Sequence, residues 1–406
     1  MDKVIFIVCD GLGDRPIAEL NRKTPLEAAY TPNLDKLAKG GISGAMNTID
    51  IGIKPGSDTA HLSLLGYDPN TYYTGRGPFE TSGIGMEMKV GDVCFRANMG
   101  TIDRDLIVID RRAGRIDDTS EFANLFNNTA IDGVTFLLKK GTGHRVGLIM
   151  RGKGLSANIS DADPHKLGVK LLEVKPCDDT KEAKFTAKIL NKFIRISFLK
   201  LKDLPSNKKR EKENKLPANC FLIRGAGMFP KIPSFKEKYG LRAVGIAGAG
   251  LYKGIAKILG MDTPNIKGAT GKPDSNLNAK IEKVIELFDQ YDFFFVHFKA
   301  ADTLGEDGDY QGKIKYIEKI DRAIKPLLDF KDTLVVVTAD HSTPCYLKSH
   351  SADDVPVTIY GKHVRDDDVD RFNERECAKG RLGHIKGLNL MPIIIDLMGL
   401  AELFGA

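Results

Sequence analysis

The sequence predicts a layered α/β fold. Three observations carry the prediction. Short, nearly continuous apolar runs occur at Val4–Cys9, Phe293–Phe298 and Leu334–Thr338. Such runs suit strands buried on both faces of a parallel sheet. Helical periodicity lies between them, and alternating strands and helices build layered α/β cores. The chain has 406 residues, too many for one ordinary domain at roughly 100–200 residues each.

The elements follow in order. Val4–Cys9 is the first strand, closed by Asp10. Thr31–Lys39 is the first clear helix, with Thr31 as N-cap and Pro32 at the first helical position. From about Gly77 the pattern changes. Strand candidates at Leu106–Ile109, Gly133–Lys139, His144–Met150 and Leu167–Val174 are separated by turns and few long helices. This stretch reads as an α+β insertion. It ends in an amphipathic helix, Ala183–Phe193, and a basic segment, Leu199–Pro217. Helical patterns resume at Lys253–Leu259, Leu277–Tyr291 and Gly312–Phe330, framing the last two core strands. The expected division is a discontinuous core, 1–76 and 218–406, interrupted by a domain spanning 77–217.

The chain carries 60 Lys+Arg against 54 Asp+Glu, a net charge of +6. That suits a small anionic substrate without predicting nucleic-acid binding. The basic Leu199–Pro217 segment has no aromatic residue within Lys200–Lys215, so it reads as a solvated helix and loop rather than a stacking surface. Six scattered cysteines form no CxxC pair, which points to reduced thiols and a cytoplasmic location. No apolar run approaches the ~18 residues of a membrane span, so no membrane partner is expected.

Acidic residues close or follow each core strand: Asp10 in CDGLGD, Asp302 in HFKAADTLGEDGD, and Asp340 with His341 in TADHS. In an open α/β sheet the carboxyl ends of the strands form the ligand crevice. One strand-end Asp is ordinarily a helix cap. Three in one sheet, one beside a histidine, would repel unless a cation lay between them. Ser57, in Lys54-Pro-Gly-Ser-Asp-Thr-Ala-His61, can be a cap and nothing more, or a nucleophile beside a divalent cation. His350 follows His341 by nine residues. Two clusters can be drawn: Asp10, Ser57, Asp340 and His341; then Asp302, Glu306 and His350. Two cations roughly 4 Å apart would clamp a transferring phosphoryl group. The oxygen-rich donor set favours Mn²⁺, with Mg²⁺, Co²⁺ or Zn²⁺ as alternatives.

These segments, with TGRGPFE, DADPHK and GLNLMPIIIDLMG, resemble the archaeal-type, cofactor-independent phosphoglycerate mutases of the alkaline-phosphatase superfamily along essentially the whole chain. The resemblance implies an alkaline-phosphatase-like three-layer core with an inserted α+β lid. It implies interconversion of 3-phosphoglycerate and 2-phosphoglycerate in glycolysis and gluconeogenesis, with no 2,3-bisphosphoglycerate requirement. Ser57 would carry the phosphoryl group. Asp10, Ser57, Asp340 and His341 would hold one metal; Asp302, His350 and the residue at 306 would hold the other. The family usually has His where this chain has Glu306, in Gly305-Glu306-Asp307-Gly308. That exchange would move preference towards Mn²⁺ or Mg²⁺.

A mutase must keep water from phospho-Ser57, so a lid over the crevice is expected, with glycerate bound between the two domains. Asp161 or Asp163 would move the substrate hydroxyl proton; an Asx-turn before Pro164 is the plain alternative. The anionic substrate would meet His144, Arg145, Arg151, Arg224 and Lys253, and Arg76 serves either the ligand or a turn. His61 is expected to support Ser57; His165, His297, His363 and His384 are expected to be structural or surface residues, His297 being near enough to the site to support it. The Gly248-Ala-Gly250-Leu-Tyr-Lys-Gly254 stretch is one residue too long for a dinucleotide fingerprint. The rival functions are a metal-dependent phosphomonoesterase, another phosphomutase, and a non-catalytic phosphometabolite-binding protein. The sequence does not specify an oligomeric state.

Overall fold

The computed structural model describes residues 3–405. The chain forms two units, Met1–Tyr73 with Ile232–Ala406, and Thr74–Lys231. The second contains the strand Cys220–Met228, which the expected boundary assigned to the core.

The first unit is built on a seven-stranded sheet. Its order is Gly383–Lys386, Gly41–Asn47, Val355–Tyr360, Thr333–Thr338, Lys3–Cys9, Phe293–Phe298, Ala243–Ile246. The last four are parallel to one another, while Val355–Tyr360 runs against both neighbours. Val4 to Val8 are fully buried, as an apolar run with no alternation requires. Val8 lies opposite His297 on one side and Thr338 on the other. The carboxyl ends of three adjacent strands therefore coincide, and the acids that follow them meet.

Helices flank this sheet with recognisable caps. Asn276 caps Leu277–Glu286, and Asp309 caps Tyr310–Ile324. Thr31 holds the N-cap position of Pro32–Lys39, with Pro32 at its start, but its side chain makes no cap bond. Asp321, buried on the Tyr310–Ile324 helix, does that work. Its Oδ1 accepts from the backbone N–H of Asn33 at 2.9 Å and of Leu34 at 2.8 Å. A carboxylate there satisfies open donors and complements the helix dipole.

The second unit is an antiparallel sheet around Val93–Ile102, which pairs with Arg145–Arg151, Val108–Asp110 and Cys220–Met228. Val134–Lys140 and Thr129–Ile131 complete it. The helix Lys181–Leu201 supplies Phe193, stacked on Phe136 at 4.2 Å. The expected strand at Leu167–Val174 is absent. That segment lies beside residues 106–108, with one isolated bridge, Ile107 to Lys170, and Val108 N–H donating to Val169 O at 2.8 Å, while Leu167 and Leu172 face solvent. The basic segment contains the helix Pro205–Lys212, and its lysines are solvent-exposed.

Candidate active site

Asp10 follows the Lys3–Cys9 strand, its N–H donating to Phe298 O at 2.8 Å. Gly11 then turns the chain at φ +64°, and its N–H donates to Asp340 Oδ1 at 3.0 Å. A Cβ on Gly11 would lie 2.5 Å from Asp302 Cα. Glycine is thus required twice, for backbone sign and for close approach. Asp302 sits in the first turn of the Ala300–Asp307 helix. His341 and Thr343 follow Asp340 on the loop after Thr333–Thr338.

Two compact groups result, Asp10 with Asp340 and His341, and Asp302 with His341 and His350; within each, one donor atom per residue lies within 4.8 Å of the others. His341 belongs to both. Glu306 lies outside both groups, one helical turn beyond Asp302 on the same face, with its side chain partly open to solvent. Burial and the Asp302 charge raise its carboxyl above the usual range.

Each imidazole is oriented by its other nitrogen. Thr343 Oγ1 donates to Asp302 Oδ1 at 2.8 Å. His341 Nδ1–H then donates to the same hydroxyl at 3.0 Å, leaving Nε2 to face Asp340 Oδ2 at 3.2 Å and Asp10 Oδ1 at 3.8 Å. His350 Nδ1 donates to Pro55 O at 2.9 Å and turns Nε2 towards Asp302. Fixing one ring nitrogen so that the other is free is the usual support for a metal-binding histidine.

The site is electrostatically tense. Burial alone would raise the Asp10 carboxyl, but Lys299 and His297 hold it well below the usual range. Burial likewise opposes ionisation of Asp302, and His350 and Lys299 more than offset it. Lys299 Nζ reaches both Asp10, at 3.0 Å, and Asp302. Asp340 Oδ2 is buried without a hydrogen-bond partner. Two partly neutralised buried carboxylates and an orphaned carboxylate oxygen fit a site for divalent cations.

Ser57 begins the Ser57–Leu64 helix after an extended Gly56. Its Oγ lies 3.2 Å from His341 Nε2, at the positive end of the helix dipole. His61, one turn on, donates from Nδ1 to Ser57 O at 2.6 Å. His297 is buried, which drives its pKa down to about 4. The neutral ring donates Nε2–H to Asp10 at 3.0 Å and stacks on Tyr252. Both histidines lie beneath the site.

A model of the Metalloenzyme superfamily matches residues 2–397. A 2,3-bisphosphoglycerate-independent phosphoglycerate mutase of Methanocaldococcus jannaschii is 50% identical over 99% of this chain and 98% of its own. One of Archaeoglobus fulgidus is 48% identical over 99% and 100%.

The chain belongs to the 2,3-bisphosphoglycerate-independent phosphoglycerate mutases of the metalloenzyme superfamily. A solved cofactor-independent phosphoglycerate mutase of Thermoplasma acidophilum shares 39% identity and a TM-score of 0.74, covering 98% of this chain and 100% of that one. A Pyrococcus horikoshii structure reaches 0.88 at 39% identity, covering 100% and 99%. The alkaline-phosphatase-like α/β class expected from the sequence is the class of this family.

In the second unit of this mutase family member, basic side chains gather on Val93–Ile102 and the strands paired with it. Arg96 lies opposite Arg224, and Asn98 opposite Arg145. Burial lowers the Arg96 guanidinium to about 10, with Arg145, Arg224 and Arg76 adding repulsion and Glu80 opposing it. His144 is pushed to about 4 by burial and then by Arg145, Arg112, Arg96 and Arg224. Like charges held this close favour an anion.

Asp163 is fully buried and gripped by both Arg111 nitrogens at 3.1 and 2.7 Å. Asp161 is half-open, accepting from Gly225 N–H at 2.7 Å and from His165 Nε2 at 3.3 Å. Arg224 donates to His165 Nδ1 at 3.0 Å, so Arg224, His165 and Asp161 form a chain.

Of the other two expected substrate residues, Arg151 is tied up elsewhere in the second unit and Lys253 belongs to the first. Arg151 ends its strand roughly 20 Å from Arg145 at the rise of a β-strand and is bound by both nitrogens to Asp92. Lys253 lies on the Gly250–Ile258 helix of the first unit, where burial and Lys257 lower its pKa. Lys299, Thr343 and Arg111 were not anticipated. Lys299 had a signal, since a lysine one position past a strand end and three before an acid faces the same crevice.

Proposed function

We propose that the chain interconverts 3-phosphoglycerate and 2-phosphoglycerate through a phosphoserine at Ser57. The observation that carries this reading is the Ser57 hydroxyl, 3.2 Å from His341 Nε2 at a helix N-terminus, beside two ligand groups that share His341.

In this reading Asp10, Ser57, Asp340 and His341 hold one divalent cation, and Asp302, His350 and Glu306 the other. The donor set of oxygens and imidazoles favours Mn²⁺, with Mg²⁺, Co²⁺ and Zn²⁺ as alternatives. Such cations supply activation of the serine hydroxyl and neutralisation of phosphoryl charge. The chain's own groups do the rest. Ser57 Oγ, already ionised, bonds to phosphorus as the bond from phosphorus to the glycerate 3-oxygen breaks, and it departs in the same ionised form when the phosphoryl group returns to glycerate. The open N–H groups of the Ser57–Leu64 helix face the charge that develops. Asp161 protonates the departing 3-oxygen, then takes the proton of the 2-hydroxyl as that oxygen attacks phosphorus and the bond to Ser57 breaks. Asp163 holds Arg111 in place; it is already committed to that pair and does not titrate with the substrate. Arg224, Arg145 and His144 bind the substrate's anionic groups, with Arg111 alongside them. The Thr74–Lys231 unit serves as the lid that keeps water from phospho-Ser57. Cytoplasmic glycolysis and gluconeogenesis go with this reading. Among the described residues no helix is long and apolar enough to cross a membrane.

A coupled assay for 2-phosphoglycerate, started with 3-phosphoglycerate, tests the proposal. Activity is expected without 2,3-bisphosphoglycerate and is expected to vanish after EDTA and return with Mn²⁺. Release of inorganic phosphate as the main product, or activity that needs the bisphosphate and ignores EDTA, overturns it.

A further inference from the structure

We propose that Thr343 is a positioning residue whose hydroxyl couples the two ligand groups, so that neither can be arranged independently of the other. This rests on the two-cation reading given above.

Every polar atom of Thr343 is engaged by an element that carries a ligand or braces one. Its N–H donates to Gly13 O at 2.9 Å, on the turn that follows Asp10. Its carbonyl accepts from Lys313 Nζ at 3.0 Å. Its Oγ1 accepts from His341 Nδ1 and donates to Asp302 Oδ1. A hydroxyl has one proton, and the Asp302 carboxylate is an acceptor only, so the direction of both bonds is fixed. His341 must keep its proton on Nδ1, and its Nε2 lone pair is presented to Asp10, Asp340 and Ser57. One oxygen of Asp302 is held by the same hydroxyl. Rotating Thr343 would break both bonds at once.

The residue is also sterically locked. A Cβ on Gly11 would come within 2.7 Å of Oγ1, and a Cβ on Gly305 within 2.4 Å of the Thr343 carbonyl oxygen. Two glycines therefore let the Asp10 turn and the Ala300–Asp307 helix close on this side chain from both sides. Lys313 braces the arrangement from beneath. It is fully buried and donates to Gly13 O at 3.1 Å, Asp14 Oδ2 at 2.9 Å and Thr343 O. Asp14 in turn accepts from Cys345 N–H at 3.2 Å. The loops after Lys3–Cys9 and Thr333–Thr338 are thus tied together, with Thr343 as the member that reaches the ligands.

The test is calorimetric Mn²⁺ titration of the full-length, chelator-stripped protein and of Thr343→Val, Thr343→Ala and Thr343→Ser, with the metal-free melting temperature of each. Wild type is expected to take up two ions. Val and Ala are expected to weaken both uptakes together, about 10–100-fold, the range for loss of a group that orients a metal ligand. Ser, which keeps the hydroxyl, is expected within about threefold of wild type. The metal-free Val and Ala proteins should melt within a few degrees of wild type. Should Val not fold, the comparison of Ala with Ser decides in its place. Undiminished uptake of two ions by the variants lacking the hydroxyl overturns the proposal and leaves the metal reading standing. Weakening confined to one ion overturns the coupling. A lower melting temperature with unchanged affinities reduces Thr343 to a packing role and overturns it too. Failure of wild type to bind two ions overturns the metal reading itself, and the coupling with it.

Discussion

Asp161 and Asp163 stand two positions apart and have different surroundings. Asp163 is buried beneath the Arg111 guanidinium, whereas Asp161 is half-open and held by His165 and Gly225. Steady-state kinetics should separate them. Asp161→Asn is expected to lower kcat by about 10²–10⁴-fold, the usual weight of a general acid–base, with KM changed little. Asp163→Asn is expected to act mainly on KM, since it frees an arginine from its fork. Ser57→Ala should abolish exchange and the acid-stable phosphate label on the protein while leaving the fold intact. The acids at strand ends were legible because three apolar runs each lead into one, where a single such acid would have read as a helix cap. Lys299 left a trace in its spacing, one position past a strand end and three before Asp302. Thr343 and Arg111 left none, because their roles depend on which atom they face.

Strands and turns show the same division. The three central strands of the first unit could be read because burial on both faces leaves an unbroken apolar run. Val93–Ile102, which joins three strands of the second unit's sheet, and Cys220–Met228, which pairs with it alone, escaped notice. Arg96, Asn98, Gly100, Arg224, Gly225 and Gly227 interrupt them, because one face carries charge instead of core. Leu167–Val174 misled in the opposite direction, being apolar but joined to the sheet by only a short isolated pairing. At the turn after Lys3–Cys9, Gly11→Ala would have to relieve a positive φ and a 2.5 Å approach to Asp302. The strain of that backbone alone is about 1–2 kcal/mol. The variant should fold, bind Mn²⁺ at least tenfold more weakly by calorimetry, and lose most of its turnover.

Stability of the molecule as a whole should depend on metal and on pH. Ions that bind only the folded chain add RT ln(1 + [L]/Kd), about 2.7 kcal/mol at a hundredfold excess over Kd. Scanning calorimetry should therefore show a melting temperature that falls with EDTA and recovers with Mn²⁺. The pH effect centres on Glu374, half-buried, whose carboxyl burial pushes from 4.5 up to about 7. It accepts from Thr24 Oγ1 and Asp14 N–H. A raised carboxyl is bound more tightly to its proton in the folded state. Its contribution is full below pH 4.5 and is lost as pH rises through 7, on the order of 3 kcal/mol in all. Urea midpoints of wild type relative to Glu374→Gln should fall across that window and level off above it. The layout of the core has a further consequence, for synthesis on the ribosome. Val4 pairs with Phe293 on one side and Leu334 on the other, so the central strand emerges long before either neighbour exists. At about 5–20 residues per second the wait is on the order of 15–60 s. The Thr74–Lys231 unit is continuous in sequence and can finish folding in that interval. The apolar N-terminal strand spends that interval without the neighbours that bury it.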